Sequence, residues 1–480
     1  MDADQLQLLL SGNEETIVAG AANENAAADG AGNDTKSDAP DKAVRPRPNR
    51  NRGMLPVHLP RVDVVIDVES KICPCCSGAL HKIGETIKEM LDVVPVQYQV
   101  KRMVRPRHGC RGCESAVVQA PAPARPIDGG MATEAMLAHV ATMKYGYQVP
   151  LYRQEQMLAS QGVDLDRATL ALWMGRLAWW LKPLHDVLLN TVLAHPKLFA
   201  DETPLPVLDP GRGKTKTCRL WVAAMDDRPW GGPAPPAVVY VFAEDRKGER
   251  ATDLFAGFNG ILQVDGYAGY NGLLDQARPG GPVTFAFCFA HSRRKFYDVH
   301  VATGSPIAAE AVRRIGEFYA IEDRIRGKSA DIRGAVRQAE TKPLMEDLKL
   351  WLDARLEEVS QKSGLAEAIR YALSHWEGLT RFLSDGRIEI DSNTVERTMR
   401  PIALGRRNYL FAGSGEGGKT WSILASLINS AKLNCIDPQD YLTDVLERIV
   451  SGRTKINQLH ELLPWHWKAA RQVTIVKAAA

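Results

Sequence analysis

The sequence predicts a multidomain α/β protein in which a mixed-sheet core is split by a helical insertion. Two observations support this prediction. Between residues 195 and 304, short runs rich in β-branched and aromatic residues alternate with helical patterns. Residues 305–385 then show helical periodicity with mixed charge and no strand-like run, and residues 386–435 complete the predicted core. The chain of 480 residues has room for roughly two to four folding units.

Five apolar runs are the predicted strands of this core. They are Lys197–Thr203, Thr217–Met225, Ala237–Ala243, Ile261–Asp265 and Val283–Ala290. Helical patterns lie between or after these strands, at Ala251–Phe258, Tyr267–Leu274, Trp421–Leu433 and Pro438–Val450. The last of these patterns belongs to a C-terminal helical segment at residues 436–480.

Three segments precede the core. Residues 1–53 are predicted to be a disordered tail with a basic arm, because the tract Ala21–Asp41 has almost no large apolar residues to bury. A compact cysteine-bearing module follows at residues 54–118. A linker rich in proline and alanine separates this module from a helical region at residues 128–190.

The helical region has the outline of a helix-turn-helix motif. The predicted helices Leu151–Ser160 and Arg167–Leu181 flank a turn at Gly162, and Asp166 is the expected N-cap of the second helix. This outline predicts a DNA-binding region. A helical hairpin that only packs is the alternative, and the tryptophans of the second helix favour packing over groove reading.

Composition and charge leave the class of protein open but exclude some locations. The net charge of +3 is small, and the hydrophobic content of 45% and charged content of 24% are typical of globular proteins. No signal peptide or membrane-spanning run is evident, which predicts a cytoplasmic protein. In that reducing compartment, clustered cysteines among the eight of this chain would bind metal rather than form disulfides.

Two CxxC knuckles predict a structural zinc site. Cys73 and Cys76 form the first knuckle, and Cys110 and Cys113 form the second. Four thiolates can hold one Zn²⁺ tetrahedrally. The knuckles are further apart than in a zinc ribbon, so a strand pair must bring them together. Alternative ligands are Cys75 and His108, and the alternative to a zinc site is a set of reduced, buried cysteines.

Three carboxylates form the candidate catalytic set. Asp201 and Asp265 each end a predicted strand, and Glu396 begins a predicted helix. Such a set can hold two Mg²⁺ or Mn²⁺ ions about 3.5–4 Å apart, which activate a water or a DNA 3′-hydroxyl for phosphoryl displacement. Each residue also has an ordinary interpretation. The aspartates suit turns, while Glu396 could form a capping box with Asn393 or an ion pair with Arg400.

One motif favours a different function, nucleotide binding. Residues Gly413–Thr420 match the P-loop pattern, with Lys419 in the phosphate-binding position. No apolar strand ending in a magnesium-binding aspartate follows, and the remaining residues read as helices. The context therefore disfavours nucleotide binding.

The isolated cysteines Cys218, Cys288 and Cys435 lie in apolar segments and are expected in the core. His291, three residues after Cys288, could be half of a metal site, although the nearby sequence offers no matching pair.

Ordered blocks of sequence resemble the IS66 family of transposases. They are LPRVDVV (59–65), CPCC (73–76), CRGC (110–113), KYGYQVPLYRQE (144–155), LFADETP (198–204), LQVDGYAGYN (262–271), CFAHSRRKF (288–296) and NTVERTMRPIALGRRNYLFAGS (393–414). The resemblance covers nearly everything from about Leu55 to Leu446. It implies an RNase H-like catalytic core, a zinc-binding module and a DDE triad at Asp201, Asp265 and Glu396.

The implied function is DNA transposition. The resemblance implies terminal inverted repeats and target DNA as substrates, assembly as a homo-oligomer on DNA, accessory proteins of the same element, and action at the bacterial nucleoid. Basic residues that follow the acidic motifs are candidates for gripping the DNA backbone. They are Arg294, Lys295, Arg406 and Arg407. Alternatives are a solvated face for these residues, a catalytically inactive zinc-containing DNA-binding protein derived from a transposase, and a P-loop ATPase.

Overall fold

The computed structural model describes residues 97–109, 111 and 117–479, together with short stretches between residues 61 and 90. The predicted disordered tail lies outside the described residues. The described residues from Arg107 onwards belong to one compact unit, and those before Arg107 to another. None of the helices in the described parts is long and apolar enough to span a bilayer.

Seven strands occur in the described residues. They are β1 (Arg107–Gly109), β2 (Val117–Gln119), β3 (Lys197–Asp209), β4 (Lys214–Met225), β5 (Ala237–Ala243), β6 (Ile261–Val264) and β7 (Thr284–Phe287). The first two form a small antiparallel pair, and the other five form one sheet.

Helices make up most of the remaining described chain. In order, they are α1 (Glu134–Ala141), α2 (Leu151–Ala159), α3 (Arg167–Leu193), α4 (Gly248–Leu254), α5 (Phe289–Thr303), α6 (Pro306–Ile325), α7 (Ala330–Val336), α8 (Lys342–Glu358), α9 (Gly364–Ser374), α10 (Trp376–Thr380), α11 (Asn393–Tyr409), α12 (Gly415–Leu433), α13 (Pro438–Val450) and α14 (Pro464–Ala479). A 3₁₀ turn at Ala268–Leu274 replaces the helix predicted there.

The main sheet has the strand order β5-β4-β3-β6-β7. Strands β3, β4 and β5 are antiparallel neighbours, whereas β6 and β7 run parallel to β3. The five predicted strands are confirmed, although only β5 keeps both of its predicted ends. Strand β3 continues to Asp209, because it forms a long hairpin with β4. Strand β7 ends at Phe287, because Cys288 is already the N-cap of α5.

Helix α12 covers the outer edge of the sheet. Strand β5 lies at that edge, so one row of its backbone groups has no strand partner. The hydroxyl of Ser426 accepts a hydrogen bond from the Tyr240 N–H at 2.9 Å, and that of Ser430 accepts one from the Val238 N–H at 3.1 Å. The serines of α12 therefore provide hydrogen-bond partners for backbone groups of β5 that no neighbouring strand pairs with.

Helix α3 is a core helix for much of its length. Asp166 caps it as predicted, accepting a hydrogen bond from the Thr169 N–H at 2.6 Å. The helix continues past the predicted end at Leu181 to Leu193, through Pro183. Its later turns pack against the sheet, where His185 lies 3.3 Å from the carbonyl oxygen of Tyr240. This packing accounts for part of its apolar character, and the DNA-binding role of the region stays a prediction.

The helical insertion packs against β7 and α5. Its helices share one apolar core with these elements, and the buried members include Ala286, Phe289, Phe296, Phe318, Leu348 and Ile369. A buried ion-pair network adds polar contacts. Arg337 of the insertion binds both carboxylate oxygens of Glu322 at 2.7 Å, and Arg333 pairs with both Glu322 and Glu389. The insertion is therefore joined to the chain segment that leads into α11.

Candidate active site

Asp201 and Asp265 lie at the same level on two neighbouring parallel strands. In the pairing of β3 with β6, Phe199 is opposite Gln263. Two residues further along each strand, this register sets Asp201 opposite Asp265, which lies one position beyond the end of β6. Adjacent strands are about 4.8 Å apart. The two aspartates are therefore close neighbours on one face of the sheet.

The face that carries Asp201 is the face covered by helix α11. Asp201 pairs with Val222 of β4, and Val222 pairs with Tyr240 of β5. Directly paired residues project from the same face of a sheet. The Tyr240 hydroxyl donates a hydrogen bond to the carbonyl oxygen of Thr398 in α11. Asp201 consequently points towards the helix that bears the third predicted carboxylate.

The segment before α11 is fixed against the neighbouring strands. The Gln263 side-chain amide donates to the carbonyl oxygen of Glu389 at 2.9 Å and accepts from the Glu389 N–H at 3.0 Å. Three residues later, the Ser392 N–H donates to Cys288 Sγ at 3.2 Å. These contacts set the start of α11, and thus Glu396, beside the ends of β6 and β7.

The capping-box interpretation of Glu396 is wrong. Helix α11 has Ser392 as its N-cap and Asn393 as its first residue, so Val395 occupies the third helical position. The Ser392 hydroxyl instead donates a hydrogen bond to Glu396 Oε1 at 3.2 Å. The ion pairs of the described residues do not join Glu396 to Arg400, which is exposed. Neither ordinary interpretation therefore accounts for this glutamate.

Asp201 is surrounded by other ionisable groups. Burial raises the pKa of Asp201 well above its usual range, and the charges of Asp265 and Glu202 add to the rise. His291 opposes the rise, whereas Glu396 contributes to it. Asp201 thus lies within electrostatic reach of both other predicted triad members. Carboxylates that oppose one another's ionisation form a site that a divalent cation would stabilise.

Backbone hydrogen bonds hold one oxygen of each aspartate. Asp201 Oδ1 accepts from the Glu202 N–H at 2.7 Å, and Asp265 Oδ1 accepts from the Tyr267 N–H at 2.9 Å. The main chain of Asp265 is also fixed, because the Tyr371 hydroxyl donates to its carbonyl oxygen at 2.8 Å. Both carboxylates are therefore held in one orientation.

Glu202 is a fourth carboxylate that the sequence analysis did not single out. Successive residues of a strand point to opposite faces, so Glu202 points away from α11. Its side chain, only 3% exposed, pairs with Arg246, whose guanidinium lies 3.7 Å from the ring centroid of Tyr267. Burial raises the pKa of Glu202 to about 7, and Arg246 opposes the rise. Strand alternation and the ion pair separate Glu202 from the set around Asp201.

His291 has the metal-ligand partners that the sequence could not identify. Its ring, Cys288 Sγ and a Glu396 carboxylate oxygen offer ligand atoms that all lie within 4.8 Å of one another. Burial lowers the pKa of His291, but Cys288, Glu396 and Asp265 outweigh this effect and raise it to about 10. The missing partner comes from a distant segment, which is why local spacing gave no sign of it. Cys218 and Cys288 are buried, as expected, but the prediction for Cys435 is wrong, because it is exposed in the turn between α12 and α13.

Three of the four residues predicted to contact DNA each lie in a different environment. Arg294 forms an ion pair with Asp298 at 2.9 Å. Lys295 lies over the ring of Tyr371, at 4.7 Å from its centroid, and Arg407 is exposed. The contact between Lys295 and Tyr371 therefore connects the start of α5 with α9, the helix whose Tyr371 hydroxyl binds the main chain of Asp265.

Arg406, the fourth predicted contact, lies at the edge of β3 with a second arginine nearby. Its Nη1 donates to Thr203 Oγ1 at 3.0 Å and to the carbonyl oxygen of Pro204. Burial, and then the charge of Arg219, lowers the pKa of Arg406 to about 10. Arg406 Nη2 and Arg219 Nε and Nη1 are buried without a hydrogen-bond partner among the described residues. The sequence analysis missed Arg219, which is isolated within β4.

Most of the predicted zinc site cannot be compared with the structure. Cys76 is described and exposed, as are the alternative ligands Cys75 and His108. The other predicted ligands lie outside the described residues: Cys73, Cys110 and Cys113. Strands β1 and β2 pair on either side of the second knuckle, and the joining of the two knuckles by a strand pair stays a prediction.

The P-loop pattern is explained by helix packing. Helix α12 begins at Gly415, and its N-cap Ser414 accepts a hydrogen bond from the Gly417 N–H at 3.1 Å. Most of the pattern is thus helix rather than a phosphate-binding loop. A Cβ atom at Gly418 would come within 2.4 Å of the Phe242 ring. Lys419 pairs with Glu416 at 2.8 Å on the exposed surface. Gly418 therefore allows close packing against β5.

Three proteins of Sinorhizobium fredii (strain NBRC 101917 / NGR234) are similar to this chain over most of its length. The "Uncharacterized protein y4jD" is 55% identical over 92% of this chain and 87% of its own length. The "Uncharacterized protein y4qI" is 44% identical over 91% and 80%, respectively. The "Uncharacterized protein y4hP" is 40% identical over 99% and 86%.

Family models match three consecutive parts of the chain. The zinc-finger binding domain of transposase IS66 matches residues 70–114, which supports a structural zinc. The model described as Transposase IS66 family matches residues 129–420, more than half of the chain. The IS66 C-terminal element matches residues 426–465. The chain therefore belongs to the IS66 family of transposases.

Proposed function

We propose that the protein binds the ends of an insertion sequence and cuts and joins DNA strands through the triad Asp201, Asp265 and Glu396. The observation that carries this proposal is the register of β3 with β6, which aligns the two aspartates on the face covered by α11. Membership of the IS66 family supports the transposase activity. The mixed five-stranded sheet is consistent with the RNase H-like core that the family resemblance implies.

The donor set of the triad suits Mg²⁺ or Mn²⁺. Carboxylate oxygens are the ligands that these cations prefer, and each aspartate has one oxygen held by the backbone while the other stays available. When bound, such cations activate a water or a 3′-hydroxyl and stabilise the leaving oxygen of a phosphoryl displacement. Asp201 and Asp265 would hold them from the sheet, and Glu396 would complete the set from α11.

The surrounding residues would orient this set and bind the substrate. Ser392 positions Glu396 through its hydroxyl. Arg406 would contact a DNA phosphate beside the aspartates. Arg294, Lys295 and Arg407 would bind the backbone further away, since cationic side chains position nucleic acid through its phosphates.

The remaining parts of the proposal follow from the family. The substrates would be terminal inverted repeats and target DNA, bound by a homo-oligomer, with accessory proteins of the same element as further partners. The protein would act in the bacterial cytoplasm, at the nucleoid. A Zn²⁺ ion held by Cys73, Cys76, Cys110 and Cys113 would fold the N-terminal module.

The test is strand cleavage and strand transfer on DNA that carries the element's ends, with Mg²⁺. We expect Asp201→Asn, Asp265→Asn and Glu396→Gln each to lower the rate by at least about 10³-fold, because the bound metals supply most of the charge stabilisation. Asp353→Asn is the matched control, since Asp353 is an exposed aspartate of the helical insertion. DNA binding measured in parallel shows whether each variant remains folded.

Equal strand transfer by wild type and Asp265→Asn would refute the catalytic assignment. DNA binding by a wild-type protein that never cleaves would favour the inactive DNA-binding alternative. For the P-loop alternative, the expected signature is nucleotide binding that Lys419→Ala abolishes. The helical state of Gly415–Leu433 argues against that outcome.

A further inference from the structure

A group of mixed sulfur, nitrogen and oxygen donors lies beside the carboxylate triad. Cys288 is the N-cap of α5, His291 lies in the first turn of the same helix, and Glu396 lies near the start of α11. Their ligand atoms all lie within 4.8 Å of one another. Among the described residues, this is the group of three or more potential ligands with the spacing of a metal site.

Two features of the protein show that this group is organised rather than accidental. The Ser392 N–H binds Cys288 Sγ at 3.2 Å, and the Ser392 hydroxyl binds Glu396 Oε1 at the same distance. One residue thus orients two of the three donors. His291 Nδ1 is buried and finds no hydrogen-bond partner among the described residues. A buried ring nitrogen without a hydrogen-bond partner costs free energy, and coordination of a metal ion by this ring would offset that cost.

We propose that Cys288, His291 and Glu396 form a binding site for a thiophilic divalent ion of the Zn²⁺ type, distinct in chemistry from the all-carboxylate set. Thiolate and imidazole ligands select Zn²⁺ and related transition metals, whereas Mg²⁺ prefers oxygen. Three protein ligands leave a fourth tetrahedral position open for water or another group. The CxxH spacing supplies two ligands from one helix turn, and α11 supplies the third.

The shared glutamate gives this site a consequence for activity, which rests on the proposed function. Glu396 cannot serve both the thiophilic ion and the oxygen-bound cations of the triad with the same geometry. Occupation of the Cys288–His291–Glu396 site would therefore withdraw Glu396 from the triad. Zn²⁺ would then inhibit strand transfer in the presence of Mg²⁺.

The direct test uses Co²⁺ as a spectroscopic probe for the full-length protein after loading with one molar equivalent of Zn²⁺. Zn²⁺ binds more tightly than Co²⁺ to such ligands, so the cysteine knuckles keep their zinc. We expect added Co²⁺ to give a thiolate-to-cobalt charge-transfer band in wild type. Cys288→Ser should lose this band, and His291→Gln should weaken Co²⁺ binding at least tenfold while the sulfur remains.

Cys218→Ser is the matched control, because Cys218 is also a buried cysteine of the same unit. It should retain the wild-type band. Zinc content after loading with excess Zn²⁺ and dialysis provides a second measurement: Cys288→Ser should hold one equivalent fewer than wild type. Identical cobalt spectra and zinc contents for wild type and Cys288→Ser would overturn the proposal. Circular dichroism of each variant identifies one that has failed to fold, in which case His291→Gln decides.

The activity test separates this inference from the proposed function. Zn²⁺ added at constant Mg²⁺ should lower wild-type strand transfer at least tenfold, and Cys218→Ser should respond in the same way. A wild type that performs no strand transfer contradicts the proposed function, while the cobalt titration still decides the metal site. Strand transfer that Zn²⁺ leaves unchanged, with a positive cobalt result, would refute the withdrawal of Glu396.

Discussion

The hydroxyl of Tyr371 donates a hydrogen bond at 2.8 Å to the main-chain carbonyl oxygen of Asp265. Tyr371 belongs to α9 of the helical insertion, whereas Asp265 follows a central strand of the sheet. The next residue, Gly266, has a φ of +91°, and a Cβ atom there would lie 3.2 Å from Tyr371 Oη and from the ring of His375. The insertion therefore directly contacts the turn that carries a candidate catalytic aspartate.

Removal of the Tyr371 hydroxyl should affect activity more than stability. We expect Tyr371→Phe to cost about 1 kcal/mol of unfolding free energy, the usual net value of one hydrogen bond. Strand transfer should fall by up to about 10²-fold, because small displacements of a catalytic group are costly. Unfolding in urea and a strand-transfer assay measure the two effects.

Tyr319→Phe is the matched control for this prediction. Tyr319 lies in the same insertion, and its hydroxyl is buried without a hydrogen-bond partner among the described residues. Its loss should leave both stability and activity close to wild type. Equal activity of Tyr371→Phe and Tyr319→Phe would contradict a positioning role for the Tyr371 hydroxyl.

The strands were accessible from the sequence. The alignment of the two aspartates was not, because it depends on the pairing of β3 with β6, and Asp201 lies within β3 rather than at its end. Short apolar runs rich in β-branched and aromatic residues are typical of strands, and Asp201 and Asp265 each follow such a run. Alternation along β3 also indicates that Asp201 and Glu202 point to opposite faces. These are local properties, so a local pattern predicts them.

The environment of Glu396 was not accessible in the same way. Its position depends on the amide of Gln263 bound to Glu389, and on Cys288 bound to Ser392, which are pairs of residues far apart in the chain. The local pattern favoured a capping box instead. The P-loop match failed for a related reason, since the requirement for glycine at position 418 comes from the distant ring of Phe242.

The buried ion pairs of the insertion should be important for stability. Arg337 is fully buried, and besides Glu322 it binds the carbonyl oxygen of Phe382 at 2.9 Å. Arg337→Met leaves the Glu322 carboxylate buried with less compensation, which should cost about 3–5 kcal/mol. The urea midpoint of unfolding measures this loss.

Arg324→Met provides the comparison within the same insertion. Arg324 is 59% exposed and pairs with Glu340, and exposed pairs contribute about 0–1 kcal/mol. Equal urea midpoints for Arg337→Met and Arg324→Met would contradict the prediction that the buried ion pair of Arg337 contributes more to stability than the exposed pair of Arg324.

Lys197 should make stability depend on alkaline pH. Its side chain is 1% exposed, and its Nζ lies 4.3 Å from the ring centroid of Phe199. Burial lowers the pKa of Lys197 to about 8, although Glu389 and Asp227 oppose this effect. Between pH 8 and the ordinary lysine pKa of 10.5, the unfolded chain therefore binds more protons than the folded chain. Stability contributed by this group should rise with pH across that window.

The measurement is the difference in unfolding free energy between wild type and Lys197→Met at several pH values. The unfolding free energy of wild type, relative to that of Lys197→Met, should rise by up to about 3 kcal/mol between pH 8 and pH 10.5. Lys182→Met is the control, since Lys182 is an exposed lysine that pairs with Asp186. A difference that stays constant across this range for Lys197→Met would contradict the lowered pKa.

Arg219 and Arg406 should each neutralise one DNA phosphate. Each has buried N–H groups without a partner among the described residues, and the charge of Arg219 lowers the pKa of Arg406. The two cations therefore lie near each other, although Glu202 partly offsets the charge of Arg219. Release of one condensed counterion per contact should lower the salt dependence of binding by about one unit of slope. Arg219→Gln and Arg406→Gln should therefore weaken binding to end DNA and unrelated DNA alike, with a shallower plot of log affinity against log salt.

Two further variants distinguish charge from structure in this prediction. Arg406→Lys keeps the cation but loses the planar guanidinium that binds Thr203 and Pro204, so it should retain the slope with reduced affinity. Arg313→Gln removes an exposed arginine that Glu310 and Glu317 already neutralise, and it should change neither quantity. Slopes for Arg219→Gln and Arg406→Gln equal to that of Arg313→Gln would place the bound phosphates elsewhere, because counterion release reports only the charges that meet DNA.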